Sequence, residues 1–253
     1  MTKVNGVVLY RGPSQLDGSP IVVIATGLAK ASRNAKTGGD LVQTWIIRED
    51  VSPTEAVNTG LDAAVCGGCK HRGRIEDGRN VGRTCYVTVF QAPLSVYKAY
   101  QRGIYPTVTP AEARELFAGR GVRVGAYGDP VAAPYALWAE WLADAAFHTG
   151  YTHQWALFPE FAEIVMASCD TPAERAMAKV LGFRTFRVTA EDARQDRAER
   201  EVVCPASAEA GHKTACDACK ACGGNAAKAK ADIVITVHGV AGKVRDFKAL
   251  VAA

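Results

Sequence analysis

With 253 residues, 48% of them hydrophobic and 22% charged, the chain can bury a full core, which excludes a disordered protein and suits a single α/β domain. Its net charge of +4 permits contact with nucleic acid without arguing for it. No apolar run of about eighteen residues and no charged-then-apolar leader occurs, so we expect a cytoplasmic chain with no membrane contact, whose eight Cys serve as metal ligands rather than disulfides.

A start punctuated by Gly, Pro, Ser and Asp (Arg11–Pro20) leads into Ile21–Thr26, a continuous apolar run of the kind buried strands show, and Val42–Ile47 is a second. Between them Lys30, Arg33 and Lys36 lie in a polar stretch that reads as solvated. Ser52, Pro53 and Glu55 have the spacing of a helix start, with Ser52 as N-cap.

Cys66, Cys69 and Cys85 follow, at spacing C-x2-C-x15-C. Adding His71 makes a closed Cys3His zinc site; leaving the fourth position open makes a cluster with one metal position free, and the spacing does not choose between them. The intervening segment is rich in Gly and Arg and reads as a surface loop, with Arg72, Arg74, Arg79 and Arg83 as a strip that can meet phosphate or offset thiolate charge. Ala92–Gly103 and Pro110–Gly119 read as helices, the second capped by Thr109.

From there the pattern is regular. Strands are expected at Val122–Gly128, Gly150–Trp155, Glu163–Cys169, Arg184–Thr189, Glu201–Pro205 and Asp232–His238, with helices at Pro134–Phe147, Pro172–Leu181, Glu191–Glu199 and Lys243–Val251. Eight strands in strand–helix order point to a (β/α)8-type or incomplete TIM-like barrel, one domain with Cys-rich insertions at about 64–86 and 204–224; an open doubly wound sheet is the alternative. Cys169 reads as a buried strand residue.

Residues at strand ends converge on one rim in such folds. Here they are Asp129, His153 with Gln154, Asp170, Arg187, Cys204 and His238, of which Asp129, His153, Asp170, Arg187 and His238 are the candidate catalytic set. Asp129 can act as a base or simply cap the next turn, Asp170 before Thr-Pro has the position of an N-cap, and Arg187 can clamp a carboxylate or phosphate. Cys204, Cys216, Cys219 and Cys222 form a second thiol set at C-x11-C-x2-C-x2-C, a spacing that suits Zn²⁺ or an iron–sulfur cluster.

In order, CGGC, TCYV, VRVGAYGDP, GYTHQW, IVMASCD, GFRTFRV, VVCPAS, CDACKACGG and ITVHG resemble the phage-encoded, radical-SAM-like barrel proteins related to the mycobacteriophage gene 88 protein family, over roughly Trp45 to Gly239. The resemblance implies a barrel-like fold, a host-cytoplasmic setting and two iron–sulfur sites. Cys66, Cys69 and Cys85 would hold the cluster whose open iron takes S-adenosylmethionine, although that role usually goes with C-x3-C-x2-C; Cys204, Cys216, Cys219 and Cys222 would hold an auxiliary cluster. The expected function is an iron–sulfur enzyme modifying a nucleotide or nucleic acid. The alternatives are a zinc-stabilised, base-exchanging transglycosylase with Asp129 or Asp170 as nucleophile, and a zinc-bearing nucleic-acid-binding protein using Arg72–Arg83, Lys213, Lys220, Lys228 and Lys230.

Overall fold

The computed structural model describes residues 4–30 and 41–252, so Arg33 and Lys36 lie outside the described residues. Among the described residues eleven strands are formed: β1 (Gly6–Pro13), β2 (Pro20–Thr26), β3 (Leu41–Arg48), β4 (Arg74–Glu76), β5 (Arg79–Val81), β6 (Gly121–Tyr127), β7 (Phe147–Thr152), β8 (Met166–Cys169), β9 (Thr185–Thr189), β10 (Glu201–Val203) and β11 (Asp232–Thr236). Nine make one sheet in the order β1-β2-β3-β6-β7-β8-β9-β11-β10, while β4 and β5 form a separate hairpin. β1, β2 and β3 pair antiparallel; from β3 onward every pairing is parallel.

The order is linear, and among the described residues no ladder joins β10 back to β1, as closure of a (β/α)8 barrel requires. β3, β6, β7, β8 and β9 follow one another without reversal, so their carboxyl ends share one rim.

The apolar run Ile21–Ala25 is fully buried because β2 is covered on both sides by paired strands and on both faces by side chains. β1 was not expected. Its second half alternates with solvent and ends in Gly12-Pro13, which an edge strand tolerates because its outer donors need no partner. β7 begins three residues earlier than expected, and the preceding helix stops at Leu142 instead of Phe147. Gly150, a poor strand former, is needed there: a Cβ would stand 2.8 Å from Val165 and 2.9 Å from Val124.

Two cores result. The larger lies between the sheet and its helices and contains Trp138, Trp141, Phe117, Phe161 and Phe183. The smaller lies on the opposite face, built from Met166, Ile233, Ile235 and Ala221 with Tyr151, Phe186 and Val188. Neighbouring residues on β8 show the alternation directly, Ala167 facing the first core and Met166 the second. No helix among the described residues is long and apolar enough to cross a membrane.

Candidate metal centre and strand-end rim

The crossover from β3 to β6 carries the first thiol set. Cys66 ends a helical turn (Ala63–Cys66), and Gly67 then takes φ 55°, where a Cβ would lie 2.6 Å from the Gln154 side chain. Gln154 grips this turn from β7's end: its Nε2 donates to the Cys66 carbonyl at 3.1 Å, and its Oε1 accepts from the Gly68 N–H at 3.3 Å. Arg72 closes the loop from the other side, donating to Asp62 Oδ1 at 2.7 Å, the Gly67 carbonyl at 2.9 Å and the Gly60 carbonyl at 2.7 Å.

The hairpin β4–β5 reverses the chain, and the Cys85 N–H donates to the His71 carbonyl at 3.0 Å. Fifteen intervening residues are thereby cancelled in space. Burial pushes the Cys66 thiol well up, with the charges of Asp62, Cys69, Cys85 and Asp129 adding to it. Cys69 is pushed up to about 12 by burial and by Cys85, Asp129 and Asp170, against a backbone hydrogen bond from His71. These thiols therefore sense one another and the strand-end carboxylates. Without a cation they favour the protonated form; a metal ion reverses that preference.

The expected arginine strip is largely engaged within the loop. Arg72 is the clasp just described, Arg74 pairs with Glu76, and Arg83 donates to the Cys85 and Val87 carbonyls at 3.1 Å each. A short segment this rich in bare carbonyls needs donors, and its arginines supply them.

Three of the rim residues, Asp129, His153 and Asp170, meet, and His71 joins them. His71 lies inward on a 3-10 turn (Lys70–Arg72), its Nδ1 2.6 Å from Thr84 Oγ1 and its Nε2 2.8 Å from Asp170 Oδ2. Both ring nitrogens are engaged, so His71 does not face the thiols as a fourth ligand in this arrangement. Asp170 is not the N-cap; Thr171 is, accepting from the Glu174 N–H at 3.1 Å, and this frees Asp170 for His71 and for Lys70 Nζ at 3.0 Å. Burial pushes Asp170 up, but the hydrogen bond from His71 and the charges of His71, His153 and Lys70 prevail and hold it below its ordinary range. His153 packs edge-on to His71 with centroids 5.3 Å apart, and burial, aided by the charge of His71, pushes it down to about 4.

Asp129 sits beside them as a brace. Its carboxylate accepts from the Val131 N–H at 3.3 Å and the His153 N–H at 2.9 Å, joining the ends of β6 and β7. Burial raises it to about 6 against these hydrogen bonds.

Arg187 is a correction. It is 1% exposed and spends its guanidinium on Glu201, at 2.9 and 2.8 Å, and on Asp196 Oδ2 at 2.7 Å, so it is a buried ion pair and not a substrate clamp. His238 is exposed just after β11 and lines a small cavity with Thr84, Tyr86 and Lys243.

The second thiol set belongs to the face of the sheet rather than to the rim. Cys204 follows β10 and donates its N–H to the Val234 carbonyl at 2.9 Å; Cys222 accepts from the Gly150 N–H at 3.0 Å. The chain then passes the amino ends of β8 and β9, where Arg184 donates to the Ala221 and Gly224 carbonyls at 2.8 and 2.9 Å. Cys222 is pushed up to about 12 by burial, with Cys204, Cys216 and Cys219 adding and a hydrogen bond from Tyr151 opposing. Cys222 is thus within electrostatic reach of the other three, beside the smaller core. Cys169 is fully buried in the larger core, as expected, and burial raises it to about 12.

Asp62, Lys70, Thr84 and Tyr151 were missed by sequence reasoning. Lys70 and Thr84 each adjoin a motif residue, which was their only signal; Asp62 and Tyr151 had none. Compared with family models, with curated proteins and with solved structures, the chain matches none.

Proposed function

We propose that the chain is a radical-SAM-like iron–sulfur enzyme acting on a nucleotide or nucleic acid, built on an incomplete barrel. In this reading Cys66, Cys69 and Cys85 hold the reactive cluster, and Cys204, Cys216, Cys219 and Cys222 an auxiliary one. The observation that carries it is the convergence of three thiols, and no fourth, at the carboxyl rim of a singly wound parallel sheet. Three protein ligands leave one metal position for a small molecule.

Three thiols without a fourth suit a cluster with an open position better than a closed zinc site, since the candidate fourth ligand, His71, is held by Thr84 and Asp170. A bound cluster supplies single-electron chemistry to whatever occupies its open position. The chain's own part is to hold the thiol turn with Gln154 and Arg72, brace β6 to β7 with Asp129, and keep an ammonium at hand in Lys70.

A transglycosylase needs an available strand-end carboxylate. Asp129 accepts from two backbone N–H groups and Asp170 is held by His71 and Lys70, so neither is offered as a nucleophile. Simple nucleic-acid binding through Arg72–Arg83 is weakened by the internal partners of Arg72, Arg74 and Arg83.

The test is metal content and absorbance of protein purified without oxygen. Brown protein with about eight irons, falling by about four in each of Cys66→Ala and Cys219→Ala, is expected for two [4Fe–4S] clusters. Colourless protein with stoichiometric zinc would sink the reading.

A further inference from the structure

The thiols account for neither the geometry nor the satisfaction of the cluster beside them. Ligating atoms of His71, His153 and Asp170 all lie within 4.8 Å of one another, brought from a 3-10 turn, the residue after β7 and the residue after β8. Asp170 has a side chain only 1% exposed, and its two oxygens are treated unequally. Oδ2 is shared by His71 and Lys70, while Oδ1 is buried with no hydrogen-bond partner. The ring of His153 makes no hydrogen bond among the described residues, its one hydrogen bond being through its backbone N–H.

A buried carboxylate oxygen without a partner is costly, and a neighbouring imidazole with free nitrogens adds donor capacity that nothing uses. The far nitrogen of His71 is fixed by Thr84 at 2.6 Å, the outer support that metal-bound histidines ordinarily have. Phe247 stacks on the same ring, 5.5 Å between centroids, and shields it from one side.

We infer that His71, His153 and Asp170 form a mononuclear site for a divalent first-row transition ion, separate from both thiol sets. Two imidazoles and a carboxylate on one side of an ion leave its remaining positions open, the donor set associated with non-haem iron(II). Asp170 would bind through Oδ1, and His71 Nε2 would exchange its hydrogen bond to Oδ2 for the metal. Lys70 is the competitor, since its ammonium already neutralises the carboxylate. The inference stands whether or not the thiols carry clusters.

Mn²⁺ is the probe, because a hard ion prefers this nitrogen and oxygen set to thiolates. Titration of the anaerobically purified chain, read by the electron paramagnetic resonance of free Mn²⁺, should show one site per chain. Binding should weaken by about tenfold or more in His153→Gln and in Asp170→Asn, as loss of a ligand demands. It should tighten several-fold in Lys70→Met and stay unchanged in the exposed surface substitution Arg114→Ala. Circular dichroism of each variant checks that it is folded, and a variant that fails this check leaves the others to decide. Absence of Mn²⁺ binding to the wild-type chain, or binding that folded His153→Gln and Lys70→Met leave unaltered, would overturn the inference and reduce the group to a His–Asp pair held by Lys70. Protein without iron would instead defeat the cluster reading and leave this titration as it is.

Discussion

Single residues divide here by what their partners leave free. Arg187 was expected at the rim as a clamp, but it stands in the middle of β9, where Glu201 and Asp196 consume its donors. Removing it deprives Glu201, which has no exposed side-chain surface, of its closest cation and leaves it Arg175 at 3.3 Å and the Ala198 N–H at 2.7 Å. Arg187→Met should therefore cost about 3–5 kcal/mol in urea unfolding, and the double substitution Arg187→Met with Glu201→Leu should recover most of it. A catalytic clamp would instead lose activity without losing stability. Asp170 shows the opposite case: moving the cap to Thr171 releases its carboxylate for the histidines.

Among the elements, the decisive one is the hairpin β4–β5. It turns a thiol spacing unlike a compact ligand motif into a local cluster by returning Cys85 beside His71. The turn Cys66–Cys69 is equally dependent on Gly67, whose positive φ and close approach to Gln154 exclude a side chain. Gly67→Ala should destabilise the chain by more than about 1 kcal/mol and displace Gln154. In protein purified without oxygen it should lower iron content as Cys66→Ala does, with the second thiol set retaining its share. Iron equal to wild type would show that the turn does not position the first set.

Across the whole molecule, the two thiol sets stand in different mechanical relations to the sheet. The first lies on crossover loops at the rim, whereas the second lies over the smaller core, with Cys204, Cys219 and Cys222 packed against Met166, Ile233 and Ile235. On the proposed reading, metal bound there would also be folding energy for β9, β10 and β11. Cys219→Ala should thus lower thermal stability by about 2 kcal/mol or more, some 4–8 °C for a chain of this size, and Cys66→Ala by less. Equal shifts in the two variants would argue against this division. The cytoplasmic and nucleic-acid expectations belong to this scale too, and the net charge alone does not decide them.

The sequence by itself determined the α/β class, all seven parallel strands to within a few residues, and the helix starts at Ser52 and Thr109. Those features are local: apolar runs and caps act between residues that are near neighbours in the chain. Only the tertiary structure decided that the sheet runs linearly from β1 to β10, that β11 inserts between β9 and β10, and that Arg187 is spent internally while His71, His153 and Asp170 meet. Each of these rests on contacts between different elements, where a side chain's role is set by which partner reaches it first, and no periodicity or spacing encodes that.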